Sequence, residues 1–191
     1  MPLTFPTPTT ARDDLDGLLE VFRLGLHTGV LERQVVVEWA DQLVIQEETP
    51  DYFLIELSLS GRSNINDLIG LLDEYIGEDK PEVSKRVILG LLFHQYKAGQ
   101  LTLQKAVRAI DWLAIHIDYS EEEHSLMAGV DDDYNLAEEG ICGTFSEIEI
   151  FFLRFLSVYQ GFYLENRQDW QKLNDAAINQ VQVLYQQLKS W

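Results

Sequence analysis

Three sets of side chains in this sequence have types and spacings that chemistry uses. Asp131, Asp133 and Asn135 occupy the first, third and fifth positions of the calcium-loop pattern D-x-D-x-[DN], in which alternate oxygens converge on one cation. The pattern then departs: Leu136 stands where the turn requires glycine, and Cys142 stands where a bidentate glutamate should close the site. Glu121 and His124 form Glu-x-x-His, which on a helix would put both on one face and is half of a di-metal carboxylate signature. The other half is missing, because His27, His94 and His116 have no glutamate three positions earlier. Cys142 lies between Gly-Ile and Gly-Thr just ahead of an expected helix, where a helix dipole could lower a thiol pKa; His116 and His124 are the nearest bases in sequence. These residues leave two chemical readings open, a cysteine-dependent enzyme using Cys142 and a calcium-binding protein using the Asp131 to Asn135 segment. No G-x-S-x-G, phosphate-cradling glycine loop, C-x-x-C or H-E-x-x-H is present, and no cofactor or metal set is assigned.

Charge gives a third reading. The 191 residues carry 14 basic and 32 acidic side chains, a formal net charge of -18, which repels nucleic-acid phosphates and anionic lipid headgroups. From Ala109 to Leu153 there is no Lys or Arg, and twelve acids in that span supply -12 of the total. A field this concentrated would be relieved by, and would steer, a basic protein partner. The candidate partner-binding residues are Glu121, Glu122, Glu123, Asp131, Asp132, Asp133, Tyr134, Glu138 and Glu139. Tyr119, Tyr134 and Phe145 lie among the acids as candidate aromatic anchors.

The elements that must position these residues read as helices throughout. With 46% hydrophobic residues the chain can bury on the order of 70% of its unfolded surface in one domain over residues 11–191. Residues 1–10, rich in proline and threonine, read as a flexible tail with no signal-peptide character, and no uncharged apolar run is long enough to span a bilayer. With a single cysteine, these features set cytoplasm as the expected location. Apolar periodicity predicts roughly eight helices in antiparallel hairpins around a central apolar helix over 102–117, with Ala106, Val107, Ile110, Leu113, Ala114 and Ile117 on one broad face. Asp79 and Glu82 form a capping-box pattern opening the helix before it. Residues 51–60 fit helix or strand, and Asp51 as an N-cap favours helix. Residues 118–143 are expected as one short helix followed by loop. Two long helices, near 144–162 and 170–188, are expected to pair antiparallel.

Shifting the chain by 70 positions aligns Gly29 with Gly99, Leu31 with Leu101, Gln34 with Gln104, Val37 with Val107, Asp41 with Asp111 and Leu43 with Leu113, suggesting a duplicated helical hairpin. The stretch Thr28 to Ser60, with Gly29, Glu38-Trp39-Ala40-Asp41, Pro50 and Phe53-Leu54-Ile55-Glu56-Leu57-Ser58, resembles segments of uncharacterised all-helical bacterial proteins, some suspected of being toxin-immunity partners. The resemblance covers about a sixth of the chain. It implies a helical fold and carries over no functional residue.

Overall fold

Every residue from Gly17 to Leu26 and from Ser84 to Leu92 is buried, so two helices form the centre of the molecule. The structure is a computed structural model describing residues 12–77 and 81–189. The expected tail and the Asp79 half of the capping box lie outside the described residues. Among the described residues there are ten α-helices and no strand: α1 (Arg12–Thr28), α2 (Arg33–Gln46), α3 (Tyr52–Leu59), α4 (Ile65–Ile76), α5 (Ser84–Lys97), α6 (Leu103–His116), α7 (Glu121–Met127), α8 (Val130–Glu138), α9 (Phe145–Leu156) and α10 (Trp170–Lys189). The fold is all-α, as the periodicity implies.

Local chemistry sets most of the boundaries. Asp51 accepts from the Phe53 amide at 2.9 Å, which fixes 52–59 as helix rather than strand. Asn64, Thr102, Ser120 and Thr144 cap α4, α6, α7 and α9 in the same way. The segment expected as helix plus loop contains two helices, α7 and α8. Glu121 to Glu123 and Asp131 to Asp133 fill their first turns, where carboxylates are favoured by the unpaired amides of a helix start. The helix expected to run to Phe162 ends at Leu156, and residues 157–159 tighten into a 3₁₀ turn.

Packing centres on α1 and α5, which lie against each other and are joined by a hydrogen bond from Ser84 Oγ to the Gly17 carbonyl at 2.9 Å. The expected central helix, α6, buries Ala106, Val107, Ile110, Leu113 and Ala114 on one face but exposes Lys105, Arg108 and Ile115. It therefore flanks the core. The reason is that α1 and α5 bury charged side chains by pairing them internally, which hides their centrality from an apolar count. α9 packs on α5 and α8, whereas α10 packs chiefly on α7 and the 157–159 turn; a hydrogen bond from Arg154 to Gln187 joins the two helices expected as a pair.

The 70-residue echo has a structural counterpart. α2 and α6 are both 14 residues long, and Val36, Val37, Trp39, Ala40 and Leu43 are buried at positions matching Ala106, Val107, Ala109, Ile110 and Leu113. Each helix follows a turn with a positive-φ glycine, Gly29 at 68° and Gly99 at 70°.

Candidate functional site

The acidic candidates fall into two groups once their surroundings are known. Asp132, Asp133, Glu138, Glu139 and Glu121 are exposed on α7, α8 and the turn after α8, and Glu122 is half-buried. Gly140, at φ 68°, reverses the chain after α8, and the Ile141 amide donates back to the Leu136 carbonyl at 2.9 Å. That turn presents Ile141, 66% exposed, beside Leu136 and the 44%-exposed Phe145 at the head of α9. Phe145 packs against Tyr134 with ring centroids 5.1 Å apart. The result is an exposed apolar set bordered by carboxylates.

Glu123 and Tyr134 are not on that face. Tyr134 is buried beneath Phe145, and Tyr119 is buried with its hydroxyl donating to the Lys85 carbonyl at 2.8 Å. Of the three expected anchors only Phe145 is available. Glu123 has no exposed surface: Arg86 donates to it through Nε at 2.7 Å and Nη2 at 2.8 Å, Tyr159 through its hydroxyl at 2.9 Å, and the Ser120 amide at 3.2 Å. Burial opposes the charged form of Glu123, but the hydrogen bonds and charge of Arg86, with those of Tyr159 and Ser120, outweigh it and hold the carboxyl below its ordinary range. Asn174 on α10 accepts from Arg86 Nη1 at 2.7 Å, so the cluster ties α5, α7, α10 and the 157–159 turn together. It is a structural lock.

The calcium reading fails on geometry. Asp131, Asp133 and Asn135 lie within helix α8, where side chains two residues apart diverge around the axis rather than converge. Asp131 is instead paired with Arg108 at 2.6 Å and with the Asn135 amide at 3.2 Å. Among the described residues no group of three or more His, Cys, Asp or Glu is arranged to hold a metal ion. Cys142 is exposed in the α8 to α9 turn. The rings of His27 and His116 stack on Trp112, and that of His94 stacks on Tyr163. Glu121 and His124 are both exposed on α7. No described helix is long and apolar enough to cross a membrane.

A second feature escaped the sequence reading. α1, α5 and α6 enclose a cleft of about 500 Å³ whose lining includes Glu20, Arg23, His27, Lys85, Trp112 and His116. Its signals were present as charged residues within apolar runs, Glu20 and Arg23 among leucines and Lys85-Arg86 ahead of Val87 to Leu92, together with an aromatic and a histidine four apart on α6. Spacing on one helix cannot reveal that the third wall comes from 85 residues away. No protein-family model, curated protein or solved structure matches this chain.

Proposed function

We propose that this protein is a non-enzymatic binding module that takes a basic protein partner on the α7 to α9 face, in the manner of an immunity or antitoxin-like inhibitor. The observation that supports this is the coincidence of exposed apolar surface with uncompensated charge. Leu136, Ile141 and Phe145 are exposed within a 45-residue span that contains no Lys or Arg, and Asp132, Asp133, Glu138, Glu139 and Glu147 are exposed around them. Apolar side chains supply a desolvated centre and the acids supply a rim that selects and steers a cationic surface. Internal cations serve only part of the acidic set. Arg86 engages Glu123, and Arg108, from just outside the span, engages Asp131.

Two variants divide the contributions. One carries Asp132→Asn, Asp133→Asn, Glu138→Gln and Glu139→Gln, and the other carries Ile141→Ser with Phe145→Ser. Partners captured from the native host at low salt are then titrated against each purified protein. The charge variant is expected to bind at least about tenfold more weakly and with a flatter salt dependence, and the apolar variant to dissociate faster. Unchanged affinity and salt dependence in both variants would reject the proposal.

A further inference from the structure

The cleft between α1, α5 and α6 has the volume of a small-ligand site, for which about 300–1,000 Å³ is usual. One side holds an aromatic stack: His27 stacks on Trp112 at 4.7 Å and 17°, and His116 on Trp112 at 4.5 Å and 13°. Both imidazoles are exposed and Trp112 is half-buried, so the stack reaches solvent.

The cations in the cleft are each paired with a carboxylate. Arg23 donates through Nε and Nη2 to the two Glu20 oxygens at 2.6 and 2.7 Å, with Asp73 at 3.4 Å, and both side chains of the Arg23 to Glu20 pair are more than nine-tenths buried. Lys85 Nζ donates to Glu82 at 2.7 Å and to the Asp118 carbonyl at 2.6 Å. What the cleft has to spare is acceptors. His116 Nδ1 lies 2.8 Å from the Trp112 carbonyl, which can only accept, so Nδ1 carries the proton in the neutral ring and Nε2 presents a lone pair. The exposed Asp118 adds a carboxylate at the rim, and Glu82, 73% exposed, keeps outward lone pairs beyond its pairs with Lys85 at 2.7 Å and Arg86 at 3.6 Å. Burial, followed by the Arg23 charge, lowers the His27 pKa from its ordinary imidazole value and so favours the neutral ring.

We infer that this cleft binds a guanidinium group, its plane against the His27, Trp112 and His116 stack and its N–H donors toward His116 Nε2 and the Glu82 and Asp118 carboxylates. Guanidinium matches on both counts, because it is planar, weakly hydrated and carries donors only. A compact ammonium would use the carboxylates and the ring quadrupole but has no plane to stack on the rings and no fork of donors to divide among separate acceptors. An anion would meet cations whose charges Glu20 and Glu82 already balance, in a protein of net charge -18. The group could arrive as a free small guanidine or as an arginine of a protein. The site is built from α1, α5 and α6, so it stands independently of the partner face on α7 to α9.

The test is an amide NMR titration of the full chain with Nα-acetyl-arginine amide, its lysine counterpart, agmatine and a Gly-Arg-Gly peptide. The expected result is saturable shifts confined to the neighbourhoods of residues 20–27, 82–85 and 112–118, with the lysine compound at least about tenfold weaker. His116→Ala, at an exposed position that should leave the fold intact, is expected to weaken binding about fivefold or more, and Trp112→Ala more still. Agmatine binding as tightly as the peptide assigns a free guanidine; a peptide advantage of about tenfold assigns a protein arginine. The inference is overturned by absence of saturation to about 50 mM, by equal binding of the lysine compound, by His116→Ala binding like the wild type, or by inorganic phosphate producing the cleft shifts instead.

Discussion

Glu123 is enclosed by Arg86, Tyr159 and the Ser120 amide with no water-facing surface, so truncating it strands a guanidinium in the core. Glu123→Ala is expected to cost about 3–5 kcal/mol in urea denaturation at pH 7. Glu123→Gln keeps the shape and isolates the charge. Because the folded carboxyl titrates below its unfolded value, its contribution is complete above about pH 4.3 and disappears as pH falls through the lower folded value. The stability gap between wild type and Glu123→Gln should therefore be largest near neutral pH and close in acid; a gap independent of pH would refute the assignment. This residue also marks a limit of reading charge along a chain. Glu121, Glu122 and Glu123 look alike in sequence, yet Glu123 is the third residue after the Ser120 cap and folds back as the reciprocal half of a capping box. Its cation lies 37 residues away on α5, a separation no local pattern encodes.

At the scale of elements, α5 approaches the 159–162 turn so closely that a Cβ on Gly90 would meet the Tyr159 carbonyl oxygen at 2.6 Å and the Phe162 side chain at 2.7 Å. Gly70 in α4 is the control, exposed and with nothing within 4 Å of an added Cβ. Both glycines are helical, so propensity alone predicts that alanine stabilises each by up to about 1 kcal/mol. The contacts predict opposite signs: Gly70→Ala should raise the melting temperature, and Gly90→Ala should lower stability by about 1–3 kcal/mol through overpacking. Equal stabilisation by the two would mean that α5 does not sit against that turn. Element type and start were legible where Asp51 stood as a cap. The rank of the helices in the core was not. α6 has the cleaner apolar stripe but flanks the core, while α5 lies inside it carrying Lys85 and Arg86, because Glu82 just ahead of α5 neutralises Lys85 and Glu123 on α7 neutralises Arg86. The cleft was illegible for the same reason, since its walls belong to three helices.

For the whole molecule, charge is distributed against the grain of packing. α1 and α5 hold the deepest core, whereas the span from Ala109 to Leu153 carries -12 and folds its outer part, α8, around few buried side chains, chiefly Val130 and Tyr134. Acids in the first turns of α7 and α8 favour those helices locally, but the like charges of the assembled face repel one another over distances comparable to a Debye length of about 10 Å at 0.1 M salt. Asp111 registers this field: burial first, then the neighbouring Asp131 charge, raise its pKa despite Arg108. Adding salt should therefore stabilise the free protein, by several degrees in melting temperature between about 10 and 500 mM sodium chloride. Hydrogen exchange should localise the gain, with amides of α8 slowing as salt rises while those of α5 change little. Partner binding to the same face has the opposite sign, because screening removes the attraction to a cationic surface. The two measurements together separate a face that is acidic and held under repulsion from one that is merely polar: salt that neither protects α8 nor weakens a captured partner would leave the acidic span with no energetic role in either state.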